Sequence, residues 1–248
     1  MRLDEQTVNK DIFASLFMPK LGLGNHLGVI LPALLKRSIA EFFGTALLVC
    51  VVVGSGIMGT SLSGDEGIAL VINALSTAFA LALLIFVVGP ISGAHFNPVV
   101  TLVEAFSRNI KDIDLLAYIP AQIFGAVAGS ITANAMFNQT AIQISTQNRA
   151  NSGALIGEVI ATAGLIALIG ILSKRGQGSV IPVAVAGWIG SAYFFTSSTS
   201  FANPAVTIGR VFTDTFAGIE PGSVLPFVAA QLVGAALGFA IAKGVSND

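Results

Sequence analysis

The apolar positions of this chain run in long continuous blocks rather than alternating or recurring on one helical face. A membrane-spanning helix needs about 20 apolar residues, and six blocks have that length: about 37–59, 68–88, 115–136, 153–173, 180–197 and 223–243. Polar stretches separate them, at Ser61 to Glu66, Arg108 to Asp114, Asn138 to Asn151 and Ser173-Lys174-Arg175-Gly176. Two more apolar pieces, about 98–107 and 204–212, are too short to cross. At about 1.5 Å per residue each reaches about half the hydrocarbon thickness. Both are predicted to be half-helices. Each opens on an Asn-Pro step, Asn97-Pro98 and Asn203-Pro204. Asn is a good helix cap, and Pro fits the first helical position, where a missing N–H costs nothing.

The two halves repeat. Glu41-Phe42-Phe43-Gly44-Thr45 and Glu158-Val159-Ile160-Ala161-Thr162 share their first and last residues. Ala121-Gln122-Ile123-Phe124-Gly125-Ala126 answers Ala230-Gln231-Leu232-Val233-Gly234-Ala235 at four of six positions. The repeats, about 35–136 and 153–245, each hold three spans, an odd number, so they lie inverted in the membrane. Inverted repeats with broken helices place a transport pathway at their interface, because irregular backbone at that depth needs protein or a watery cavity to satisfy it.

Composition agrees with a bilayer as solvent. Of 248 residues 54% are apolar and 10% charged, against about 25% charged in a soluble chain. A net charge of -1 gives no reason to expect a nucleic-acid partner. The single Cys50 excludes an intrachain disulfide, and His26 and His95 are too few for a histidine-built metal centre. No cofactor is expected. Residues 1–34 mix charges with apolar patches and are predicted to form a cytoplasmic tail, either helical at the membrane surface or an unstructured extension. With six spans, ten Lys and Arg residues from Arg2 to Lys243 fall on one side and only Arg149 and Arg210 on the other. That asymmetry predicts both termini in the cytoplasm.

On these motifs the chain resembles the aquaporin and aquaglyceroporin (major intrinsic protein) family over about residues 37–243. The resemblance rests on Ser92-Gly93-Ala94-His95-Phe96-Asn97-Pro98, on Asn203-Pro204-Ala205, on Ala40-Glu41-Phe42 and on the two Ala-Gln-x-x-Gly-Ala segments. It implies an all-α membrane protein, a bundle of six transmembrane helices with two half-helices meeting at the midplane. It also implies one pore per subunit and a homotetramer in a bacterial inner membrane. The site it implies comprises Asn97, Pro98, Val99, Asn203, Pro204 and Ala205. Amides of Asn97 and Asn203 can donate to a passing water or hydroxyl, while the half-helix dipoles repel cations.

Glu41 and Glu158 lie within spans, where a carboxylate is expensive unless satisfied. A proton relay is one reading; acceptance of backbone N–H groups from the pore loops is the preferred one. His95 is expected to brace its loop rather than bind metal. A coupled transporter would need more intramembrane acids or histidines than these, and an enzyme would need a catalytic cluster that is not apparent.

The chain departs from the family pattern at two places; the first is a small change that packing beside the midplane tolerates, and the second matters more. Val99 ends the first motif where alanine is usual, and Val206 stands where an arginine usually guards the outer pore. The remaining filter positions fall on Thr77, Ser200 and, in the fifth span, either Phe194 or Ser191, with Phe194 preferred. A filter of Thr77, Phe194, Ser200 and Val206 is wider and less charged than a water filter. It predicts a permissive pore for water, glycerol, urea and uncharged metalloid acids such as arsenous acid. The Val206 pattern looks like a bacterial branch associated with arsenic-resistance operons. The alternatives are a water-selective aquaporin and, less favoured, a coupled transporter. Arg210, one turn beyond Val206, either reaches into the outer vestibule with Asp214 steering it, or anchors the half-helix at the surface.

Overall fold

A computed structural model describes residues 24–245, with side chains from residue 31; the expected tail lies outside the described residues as far as residue 23. Six helices are long and apolar enough to cross a membrane: α1 (Gly24–Leu62), α2 (Glu66–Ser92), α4 (Asp112–Met136), α5 (Ser152–Lys174), α6 (Ile181–Phe195, continued from a 3-10 turn at Gly178–Val180) and α8 (Pro221–Val245). Two short helices fill the remaining apolar pieces, α3 (Pro98–Phe106) and α7 (Pro204–Gly209), the latter running into a 3-10 turn, Arg210–Phe212. The described residues contain no strand. The order is three spans with one half-helix, twice over.

Local chemistry sets the helix starts. Asp65 caps α2 by accepting from Gly67 N at 2.7 Å and Ile68 N at 3.1 Å. Asn151 caps α5 through Ala154 N at 2.9 Å. Asn97 accepts from Val99 N at 3.0 Å, and Asn203 accepts from Ala205 N at 3.0 Å and Val206 N at 3.2 Å. Pro98 and Pro204 each occupy the first turn behind these caps.

Packing repeats the inversion. In the first half α1 lies on α4; in the second, α5 lies on α8. Close approach depends on glycine at corresponding places. A Cβ on Gly125 or Gly129 of α4 would stand 2.3 Å from the carbonyl oxygens of Phe42 and Ala46 on α1. On Gly234 and Gly238 of α8 it would stand 2.5 and 2.3 Å from Val159 and Ala163 oxygens on α5. Each half-helix also touches the last helix of the other repeat, α3 against α8 and α7 against α4. Large apolar side chains such as Phe79, Leu83, Phe86 and Leu116 stay exposed on the perimeter, as lipid allows.

Candidate functional site

The loops before the two half-helices meet at the centre of the bundle. Asn97 Nδ2 donates to Ala202 O at 2.8 Å, and Asn203 Nδ2 donates to Phe96 O at 2.8 Å. Each asparagine thus caps its own helix with Oδ1 and holds the opposite loop with one N–H. An amide carries two N–H donors, so one donor of each remains for the cavity that both residues line. The prolines are buried in the first turns, and Val99 and Ala205, both 0% exposed, pack behind the cavity rather than on it.

Both loops have the same strained backbone. Gly93, Ala94 and Phe96 have φ of 91°, 50° and 50°; Thr199, Ser200 and Ala202 have 61°, 53° and 47°. These are positions four, three and one before each Asn. Positive φ is uncommon outside glycine and persists only when the surroundings enforce it.

Two buried glutamates supply that enforcement. Glu41 accepts from Ser92 Oγ at 2.6 Å, His95 N at 3.0 Å, Phe96 N at 2.7 Å and Gln122 Nε2 at 2.8 Å. Glu158 accepts from Phe201 N and Ala202 N, both at 2.8 Å, and from Gln231 Nε2 at 2.6 Å. The glutamines continue to Thr101 and Thr207 Oγ1, each at 2.9 Å. His95 Nδ1 lies 3.1 Å from Thr101 Oγ1, and its ring meets Tyr118 edge-on at 5.5 Å. At the matching place Phe201 meets Phe227 at 5.1 Å. The sequence reading missed Tyr118, Phe227 and Phe201, although the first two stand four residues before each repeated glutamine.

The cavity has a volume of about 250 Å³ and runs from Glu104 and Ser173 at one end, past both asparagines, to Phe201 and Arg210 at the other. Its walls are helical stripes of period four: Thr77, Leu81 and Ile85 on α2, Leu165, Ile169 and Ser173 on α5, and Ile181, Val185, Ile189 and Tyr193 on α6. Thr77, Ser200 and Val206 all line this cavity. The fifth-span position does not. Phe194 is 54% exposed on the outside of α6, and Ser191 also faces outward, whereas Tyr193 is 3% exposed and lines the cavity. One residue turns a helical side chain by about 100°, enough to move it from wall to lipid. Tyr193 donates its hydroxyl to Thr77 Oγ1 at 3.2 Å. Ser200 Oγ, buried on the same wall, has no hydrogen-bond partner.

Arg210 is 2% exposed and belongs to this wall. Its guanidinium lies 3.4 Å from the Phe201 ring centroid, and Nε donates to Ala217 O. The expected steering by Asp214 is absent: the chain turns extended at Thr213, and Asp214 accepts instead from Thr146 N at 2.9 Å. Arg149 approaches the same ring at 5.5 Å and donates to Gly218 O at 2.6 Å and Phe216 O at 2.7 Å. Burial pushes the Arg149 pKa below the ordinary guanidinium value, against the opposing influence of Tyr193 and Glu158.

A family model described as "Major intrinsic protein" matches residues 30–198. The chain is 44% identical over 210 residues to "Aquaglyceroporin AqpS" of Rhizobium meliloti (strain 1021), spanning 85% of this chain and 90% of that one. It is 29% identical over 228 residues to "Aquaporin Z" of Brucella melitensis, covering 86% and 98% of the two chains. Among solved structures, the aquaglyceroporin from Plasmodium falciparum superposes with a TM-score of 0.66 at 21% identity, covering 86% of this chain and 96% of that one. That last likeness concerns the fold alone.

Proposed function

The chain belongs to the major intrinsic protein family, and from that premise we propose a widened channel that passes glycerol, urea and uncharged metalloid acids along with water. This is an integral, multi-pass membrane protein of a family of passive channels for water and small solutes, not of enzymes. The finer reading rests chiefly on Val206. Its methyl groups line the cavity beside Thr77 and the unpartnered Ser200 hydroxyl. The Val206 methyls and the Thr77 and Ser200 hydroxyls discriminate by size and by a few hydrogen bonds, which suits a neutral polyol or hydroxylated metalloid.

In this reading a solute sheds water at the wall formed by Thr77, Tyr193, Ser200 and Val206. It then takes hydrogen bonds from the spare amide donors of Asn97 and Asn203 and leaves past His95. The glutamates stay fixed, since their lone pairs already hold loop donors. The proposal extends to a homotetramer packed through the exposed apolar perimeter, and to both termini on the cytoplasmic face of a bacterial inner membrane.

One observation favours the water-selective alternative. Tyr193 places a large ring on the wall where a slimmer side chain would leave room. Stopped-flow light scattering on proteoliposomes separates the two. Glycerol and urea entry well above empty vesicles supports the wide channel; fast water with neither solute supports the narrow one.

A further inference from the structure

Apart from His95, two cavity-lining side chains carry a formal charge, Glu104 and Arg210. Both stand seven residues after the asparagine of their own loop. The inverted repeat therefore carries one onto the other, at opposite ends of the channel and with opposite sign. Their surroundings differ. Glu104 is only half-buried and accepts from the exposed Asn109 side chain at 2.8 Å. Arg210 is only 2% exposed, and among the described residues the one ion pair is Arg37 with Asp114. Arg210 has no carboxylate partner.

A buried charge without a counter-ion is costly and persists where other contacts offset the cost. Here the Phe201 ring faces the guanidinium and Ala217 O accepts from Nε. The carbonyls on either side of Ala217, those of Phe216 and Gly218, are held by Arg149. Ring and loop together fix Arg210 on the wall and keep it from reaching the membrane surface. Among the described residues its hydrogen bonding engages Nε alone, which leaves Nη1 and Nη2 for the cavity.

We propose that Arg210 is the charge barrier of this channel, a fixed guanidinium that turns back protons and metal cations and offers its Nη donors to hydroxyl-bearing neutral solutes. In a narrow wall of low dielectric, one fixed positive charge acts on a passing cation far more strongly than in water. Ser200 Oγ, unpartnered on the same wall, supplies a second contact for such a solute. At the other mouth the charged side chain on the cavity wall is Glu104, half-buried, and Lys174 and Lys243 line only the adjoining cavity beyond it. Cation exclusion therefore belongs to the Arg210 end. This assignment rests on the cavity being the conduction path.

The test uses the full chain in proteoliposomes, with the inserted protein quantified. An entrapped pH dye follows proton leak under an imposed potassium potential, and stopped flow follows glycerol entry into the same vesicles. Arg210→Gln and Arg210→Met, which fill the space without charge, should raise the proton leak roughly tenfold or more over the unmodified channel. Arg210→Lys should stay close to the unmodified channel. Uncharged variants that insert normally and leak no faster would overturn the proposal. So would a Lys variant as leaky as Gln, or uncharged variants that fail to assemble while Lys assembles, because the charge would then serve folding alone. Glycerol entry through the unmodified channel reports separately on the conduction path and substrate class.

Discussion

Each of Glu41 and Glu158 is a fully buried carboxylate whose oxygens accept from the loop it faces. Removing one strands its donors. Glu158→Ala leaves Phe201 N, Ala202 N and Gln231 Nε2 without their acceptor, and each buried unsatisfied donor costs about 1–3 kcal/mol. The variant should lose about 3 kcal/mol or more, and fluorescence-detected melting in detergent should place it well below the unmodified protein. An unchanged melting temperature would contradict the bracing role. The α6 wall gives a second residue-scale prediction. Tyr193→Ala should speed entry of urea and glycerol, while Phe194→Ala, on the lipid side, should leave solute rates near their starting values. The reverse order in stopped flow would place the wrong residue on the wall.

That same pair marks where the sequence stopped being legible. Counting back from Asn203 without gaps, or aligning on Gly187, gives Ser191 or Phe194, and both miss by one or two residues. Loop length decides the register, and loop length cannot be read from apolar pattern alone. The period-four stripe Ile181, Val185, Ile189, Tyr193 carried the missing signal. Asp214 failed for a related reason: helical spacing was carried past Phe212, where the helix has already ended.

At the scale of elements, long apolar blocks separated by polar turns are a strong signal, and the spans fall within a few residues of their expected limits. The exception is the start of α1, which begins at Gly24, through Pro32, ahead of the expected boundary at residue 35. The half-helices were legible because Asn and Pro impose their caps locally. The contact between them was not, since Asn97 reaching Ala202 O joins residues 105 apart in sequence. Helix pairs give the element-scale prediction. Gly129→Val places a branched side chain against Ala46 O, which a bare Cβ would already approach to 2.3 Å. Overpacking of this kind costs typically about 1–3 kcal/mol, and without a shift of α1 the cost is larger. Size-exclusion profiles should show loss of the folded species; a normal profile would mean that α1 and α4 separate easily.

Across the whole molecule the inverted repeat explains why the channel is symmetric in its frame and asymmetric in its chemistry. Backbone strain, glutamate, glutamine and glycine recur at matching places in both halves. The side chains facing the cavity diverge, His95 against Phe201 and Glu104 against Arg210. The shared set builds the frame, and the divergent set is the one that the proposed reading makes responsible for distinguishing solutes. A passive frame of this kind has no group that must change protonation in each cycle, so solute flux should be indifferent to uncouplers and to imposed ion gradients. Flux that follows a proton or sodium gradient would point to a coupled transporter.

The most direct test of the widened channel compares the unmodified protein with Val206→Arg in proteoliposomes, following glycerol, urea and water by stopped flow, with arsenite uptake alongside. Rapid glycerol and arsenite entry that falls roughly tenfold in Val206→Arg, with water flux retained, is the predicted result. Fast water with no solute entry in the unmodified protein would contradict it and would make Tyr193 the residue that closes what Val206 opens.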